Sequence, residues 1–152
     1  MFYIEYKQKA SGEKMEKNIQ QDMEKLNNIV RYLNNIEKCF KQHDIGNANN
    51  LKNDEVAQAA CTQFKTNIYE CKNKLQDVTY NQLTELNKIK IAGARHIASH
   101  EYDSIDFRAI YAICKQLTKP IVFSEIYKII SEIKAPEEDE VENESGNRST
   151  HN

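Results

Sequence analysis

Apolar residues recur every three or four positions along most of this chain. From about Glu13 to His43 the series Ile19, Met23, Leu26, Val30, Leu33, Ile36 and Phe40 makes one stripe along a predicted helix. Residues 1–12 precede it as a short lead-in. Asp44 to Asn53, with Gly46 and several Asn, reads as a loop. A second helix spans roughly Asp54 to Leu75, striped by Val56, Ala60, Phe64, Ile68, Cys71 and Leu75. Asn53 is its expected N-cap, and acids occupy its first turn. A third opens near Thr79, where Thr79 and Gln82 fit a capping box. It carries Leu83, Leu86, Ile89, Gly93 and Ile97 and is expected to reach about Glu101. Asp106 caps a fourth, with Phe107, Ile110, Tyr111, Cys114 and Leu117 in period. Pro120 separates it from a fifth, about Ile121 to Ile133, striped by Ile126, Ile129, Ile130 and Ile133. The expected fold is all-α: an antiparallel up-down bundle of about five helices in one domain, residues 1–133.

Composition agrees with this pattern. In 152 residues there are four Gly and two Pro, too few for a many-turned β fold, and no Trp. With 39% hydrophobic residues and a mean hydropathy of −0.77, the core is modest and built from Ile, Leu, Tyr and Phe. The net charge of −2 is uneven. Residues 134–152 hold six acids against two bases, net −4, which leaves +2 on residues 1–133. That tail is almost without apolar residues beyond Pro136 and is predicted to be disordered. A mildly basic body permits nucleic-acid binding without demanding it. Cys39, Cys61, Cys71 and Cys114 show no C-x-x-C spacing and read as buried reduced thiols. No run approaches the ~18 apolar residues of a membrane span, and the N-terminus lacks the cationic start and apolar stretch of a secretory signal. A cytoplasmic protein with no membrane partner is expected.

One stretch departs from amphipathic logic. IAGARHIASHEYDSID, residues 91–106, crowds Arg95, His96, Ser99, His100, Glu101, Tyr102 and Asp103 around a thin apolar seam. Such groups bind phosphate or move protons near neutral pH. Arg95, four residues, His100, one residue and Tyr102 reproduce an R-x4-H-x-Y pattern. With its flanks, IAGARHIASHEYDSIDFRAIYAIC, the segment resembles HepT-like toxins of the HEPN superfamily of helical ribonucleases. Upstream, IYECKNKL resembles the family's second helix, with Glu70 at a matching acid. The resemblance covers about residues 15–133. It departs at His96, where the family often carries Asn directly after the motif Arg.

The resemblance implies a metal-independent endoribonuclease that uses no cofactor and leaves a 2′,3′-cyclic phosphate. Arg95 and His100 would be catalytic, and His96 and Tyr102 supporting. It also implies a toxin–antitoxin pair, with RNA as substrate. The cognate partner would be a minimal nucleotidyltransferase antitoxin that AMPylates Tyr102, blocking phosphate by bulk and like charge. The chemistry stands without the family. Attack by the RNA's own 2′-hydroxyl needs a proton removed, a proton delivered to the leaving oxygen and an anionic phosphorane stabilised. Histidine, with an unperturbed pKa near ~6.5, suits the transfers. Arginine stays charged and offers a planar fork to phosphate oxygens.

Helix geometry bears on how these residues meet. Positions five apart sit ~140° apart with ~7.5 Å of rise. Arg95 and His100 therefore share no face of a straight helix, whereas Arg95, Ser99 and Tyr102 do, as do His96 and His100. A two-fold homodimer, which the resemblance also implies, brings motif residues from both copies into one cleft. His96 and His100 have zinc-ligand spacing but no evident third ligand, so no metal site is predicted. Ser99 and Glu101 read as helix-surface residues and Asp106 as a cap. Asp103 reads equally as a histidine-orienting group or a solvated helix end. Glu70 reads as a surface charge, and His43 and His151 are given no role. The rival to the nuclease is a non-catalytic helical module that binds a partner or a nucleotide.

Overall fold

The computed structural model describes residues 12–92 and 106–134, with side chains from residue 18 onward. Every regular element among them is helical: α1 (Gly12–Gln42), α2 (Ala48–Lys52), α3 (Glu55–Asn73), α4 (Asp77–Tyr80), α5 (Thr84–Asn87), α6 (Phe107–Leu117) and α7 (residues 120–134). Helical backbone resumes at residues 91 and 92. Gly93, Ile97 and Glu101, the expected far end of the third helix, lie outside the described residues, as do the lead-in 1–11 and the tail 135–152.

The long helix α1 follows its expected stripe. Met23, Leu26, Val30, Leu33 and Ile36 are buried, joined by Ile29 and Cys39. Each fully buried Leu or Ile is worth about 1.5–3 kcal/mol over leaving it exposed. The helix stops at a Schellman turn. Asp44 takes a left-handed backbone (φ 53), Ile45 N–H donates to Phe40 O at 2.8 Å, and Asp44 N–H to Lys41 O at 3.4 Å. Ile45 is buried just beyond, the apolar contact such turns favour.

The expected loop 44–53 contains a short helix. Asn47 caps α2, its side chain accepting from Asn50 N–H at 2.8 Å, while the Asn50 side chain accepts from Gly46 N–H at 3.0 Å. The asparagines that read as loop-formers are satisfying helix-terminal donors. For the next helix the cap is Asp54, not Asn53: its carboxylate accepts from Ala57 N–H at 2.9 Å, and Asn53 closes α2 instead.

α3 packs chiefly against α1, but its inward face is rotated from expectation. Ala57, Cys61, Lys65, Ile68 and Lys72 are buried, while Val56 is 66% exposed. Two lysines hold core positions through their aliphatic stems.

Instead of one helix from Thr79, residues 76–92 form two four-residue helices and then a new helical start. The capping box is absent. Buried Thr79 donates its hydroxyl to the buried Asp22 carboxylate of α1, which also accepts from Gln76 N–H (3.3 Å) and Gln76 Nε2 (3.2 Å). Leu83, Leu86 and Ile89 are nonetheless buried as their spacing predicts. α6 and α7 match expectation, α7 starting at Pro120, where a missing N–H costs nothing. Val122, Ile126, Ile129 and Ile133 face inward.

Candidate functional site

Arg95, His96, His100 and Tyr102 lie outside the described residues, with Ser99, Glu101 and Asp103. The structure describes the frame on either side of them. After the segment, Asp106 is the cap its position predicts: its carboxylate accepts from Arg108 N–H at 3.0 Å and Ala109 N–H at 3.3 Å. One turn on, the Tyr111 hydroxyl donates to Gly46 O at 3.0 Å. Its ring stacks on Phe40, centroids 5.5 Å apart and 7° from parallel. The first turns of α6 are thus tied to the end of α1 and the loop that follows.

Before the segment, Ile91 is buried and its N–H donates to Ile89 O at 3.0 Å. The side chain of Lys65, wholly buried on α3, reaches the same point, with Nζ 3.5 Å from the Ile91 carbonyl. Nothing in the hydropathy pattern singles out Lys65. The signal was present as spacing: Ala57, Cys61, Lys65, Ile68 and Lys72 follow each other at steps of four or three. A hydropathy stripe drops the two lysines and shifts to Val56, Ala60 and Phe64. Glu70, the acid that the family resemblance matched, is exposed on α3, in line with its reading as a surface charge.

The described titratable groups serve structure. His43 Nδ1 lies 2.9 Å from Asp54 Oδ2, joining the end of α1 to the cap of α3. The Ala57 N–H, and after it the bond with His43, hold the Asp54 carboxyl below its ordinary value. All four cysteines are free, three of them buried. Burial pushes the Cys39 thiol up to about 12. The hydrogen bond with Cys114, and then burial, push Cys61 upward, and burial raises Cys71. These three thiols stay protonated near neutral pH, and a protonated thiol is a poor nucleophile. Burial lowers the Lys72 ammonium below the ordinary lysine value, and that ammonium sits 5.3 Å above the Tyr80 ring. Among the described residues no three His, Cys, Asp or Glu are grouped to hold a metal ion.

A concavity of about 410 Å³ lies between α5 and α7, lined among others by Thr84, Glu85, Ile121, Glu125, Lys128 and Glu132. Glu125 spans it, accepting from Thr84 Oγ1 at 2.7 Å, Glu85 N–H at 2.9 Å and Leu86 N–H at 3.2 Å. Three carboxylates against one ammonium suit no polyanion, so this hollow is no place for an RNA backbone. No helix among the described residues is long and apolar enough to cross a membrane. Comparison with protein families, curated proteins and solved structures finds no match to this chain.

Proposed function

We propose that the chain is a HepT-like RNA endonuclease, the toxin of a bacterial toxin–antitoxin pair, cutting RNA through its own 2′-hydroxyl to leave a 2′,3′-cyclic phosphate. The observation that carries the reading is the R-x4-H-x-Y signature at Arg95, His100 and Tyr102 inside its matching flanks. Arg95 steadies the phosphorane, His100 moves the proton, and His96 and Tyr102 support them. The helices pack as an antiparallel bundle, and two copies related by a two-fold axis share one cytoplasmic active cleft. A nucleotidyltransferase antitoxin silences the toxin by AMPylating Tyr102.

The described residues support this indirectly. Their one histidine, His43, is engaged with a helix cap, and Cys39, Cys61 and Cys71 are held protonated. The proton-transfer groups suited to neutral pH are then His96 and His100. Purified wild-type protein should cut total RNA in the presence of a chelator. His100→Ala should lose roughly 10²-fold or more in rate while staying folded. Equal cutting by His100→Ala, or loss of cutting in chelator, overturns the mechanism. A wild-type protein that binds RNA or a nucleotide but never cuts is instead a binding module.

A further inference from the structure

Lys65 poses a problem of energy. It sits in the middle of α3, too far from either end for its ammonium to reach solvent along the helix, and its exposure is 0%. Taking an ammonium out of water costs several kcal/mol even after the protein relaxes around it. A methionine would fill the same channel between α1, α3 and residue 91 without that cost. A lysine here is explained by what its charge holds.

One thing it holds is backbone. Nζ lies 3.5 Å from the Ile91 carbonyl, 26 positions along the chain. Ile91 is itself buried at 2% exposure, so this is a contact inside the body, away from competing water. In such a setting the attraction of a cation for a carbonyl dipole is far stronger than at the surface. Ile91 is also the place from which the chain runs on to Arg95, four positions later, and to His100. At the other side of that segment Asp106 fastens the backbone by capping α6.

We infer that Lys65 is a positioning residue for the RNA-cleaving centre proposed above, its buried ammonium fixing the backbone at Ile91 from which the Arg95 and His100 segment departs. The inference rests on that functional reading for its catalytic consequence, but the anchoring can be read without any RNA. Lys65 touches no substrate. It acts by setting where the catalytic segment begins, and displacements near 1 Å can cost about 10²-fold in rate.

The test uses the full chain with Lys65→Met, which keeps length and removes charge, and Lys65→Gln, which keeps a donor without the charge. Backbone hydrogen exchange is followed for the peptide covering residues 91–106 and for those of α1 and α3. In Lys65→Met, exchange over 91–106 should quicken about tenfold or more while α1 and the start of α3 keep their protection. Its kcat for RNA should fall about tenfold or more at unchanged KM, and Lys65→Gln should fall between. Should Lys65→Met fail to fold, the same comparison is made with Lys65→Gln. Unchanged exchange over 91–106 overturns the inference, as does a drop confined to global stability with kcat intact. If the wild-type protein cuts no RNA, the functional reading is what fails, and exchange alone decides whether Lys65 anchors Ile91.

Discussion

At the junction of α1 and α3 one carboxylate does two things. Asp54 accepts from Ala57 N–H as the cap of α3 and meets His43 Nδ1 just past the end of α1. Both contacts favour its charged form, the capping bond most, so its folded pKa is depressed. A carboxyl depressed on folding stabilises the protein at pH above its unfolded pKa, about 3.9, and loses that contribution as pH falls through the lower folded value. Asp54→Asn should therefore be less stable than wild type near neutral pH, and the gap should close on acidification to about pH 3. Urea unfolding at the two pH values checks this; a gap that widens on acidification means that the charged form is not the favoured one. The buried lysines teach a related lesson at the same scale. Residue type alone assigns Lys65 and Lys72 to solvent and Val56 to the core, and all three are the other way round. An amphipathic stem lets lysine follow a helix face decided by its neighbours.

At the scale of elements, the short helices are held from outside. A helix of four residues cannot pay its nucleation cost alone. α5 persists because Glu125 of α7 reaches across to the hydroxyl of Thr84 and the backbone N–H groups of Glu85 and Leu86. α4 begins where the buried Asp22 of α1 accepts from Gln76 and Thr79. Glu125→Ala should thus destabilise by about 1–2 kcal/mol, the usual range for losing a cap and leaving donors unmet. Glu125→Gln should cost less, since it keeps one acceptor oxygen. Denaturant midpoints of both variants decide; equal stability of Glu125→Ala and wild type means that water serves those donors as well. The same external capping explains why residues 76–92 break where periodicity predicts one helix: a partner two elements away sets each boundary.

For the whole molecule, the proposed activity needs two copies if Arg95 and His100, on different faces of a straight helix, are to meet in one cleft. Light scattering at working concentration should return twice the 17.7 kDa mass of the chain. A mass near a single chain removes the shared-cleft arrangement and leaves within-chain geometry to unite the two residues. The all-helical character of the described residues fits this assembly, and the apolar stripes of α1, α6 and α7 are consumed in one core rather than left for a partner.

Helix class, the span of the long elements, the Asp106 cap and the burial of Leu83, Leu86 and Ile89 were all determined by sequence, because each depends on spacing within a turn or two. The candidate residues Arg95, His96, His100 and Tyr102 were likewise legible only as a motif, and they lie outside the described residues. Tertiary structure decided the rest. It set which face of α3 turns inward, since that depends on what α1 offers across the contact. It ended helices at Asp54 and at Gln76 through side chains placed there by folding, one of them 54 positions away. It also brought the Lys65 ammonium to the Ile91 carbonyl. No local pattern carries such a contact, because the energy that makes a buried charge tolerable comes from partners distant in sequence.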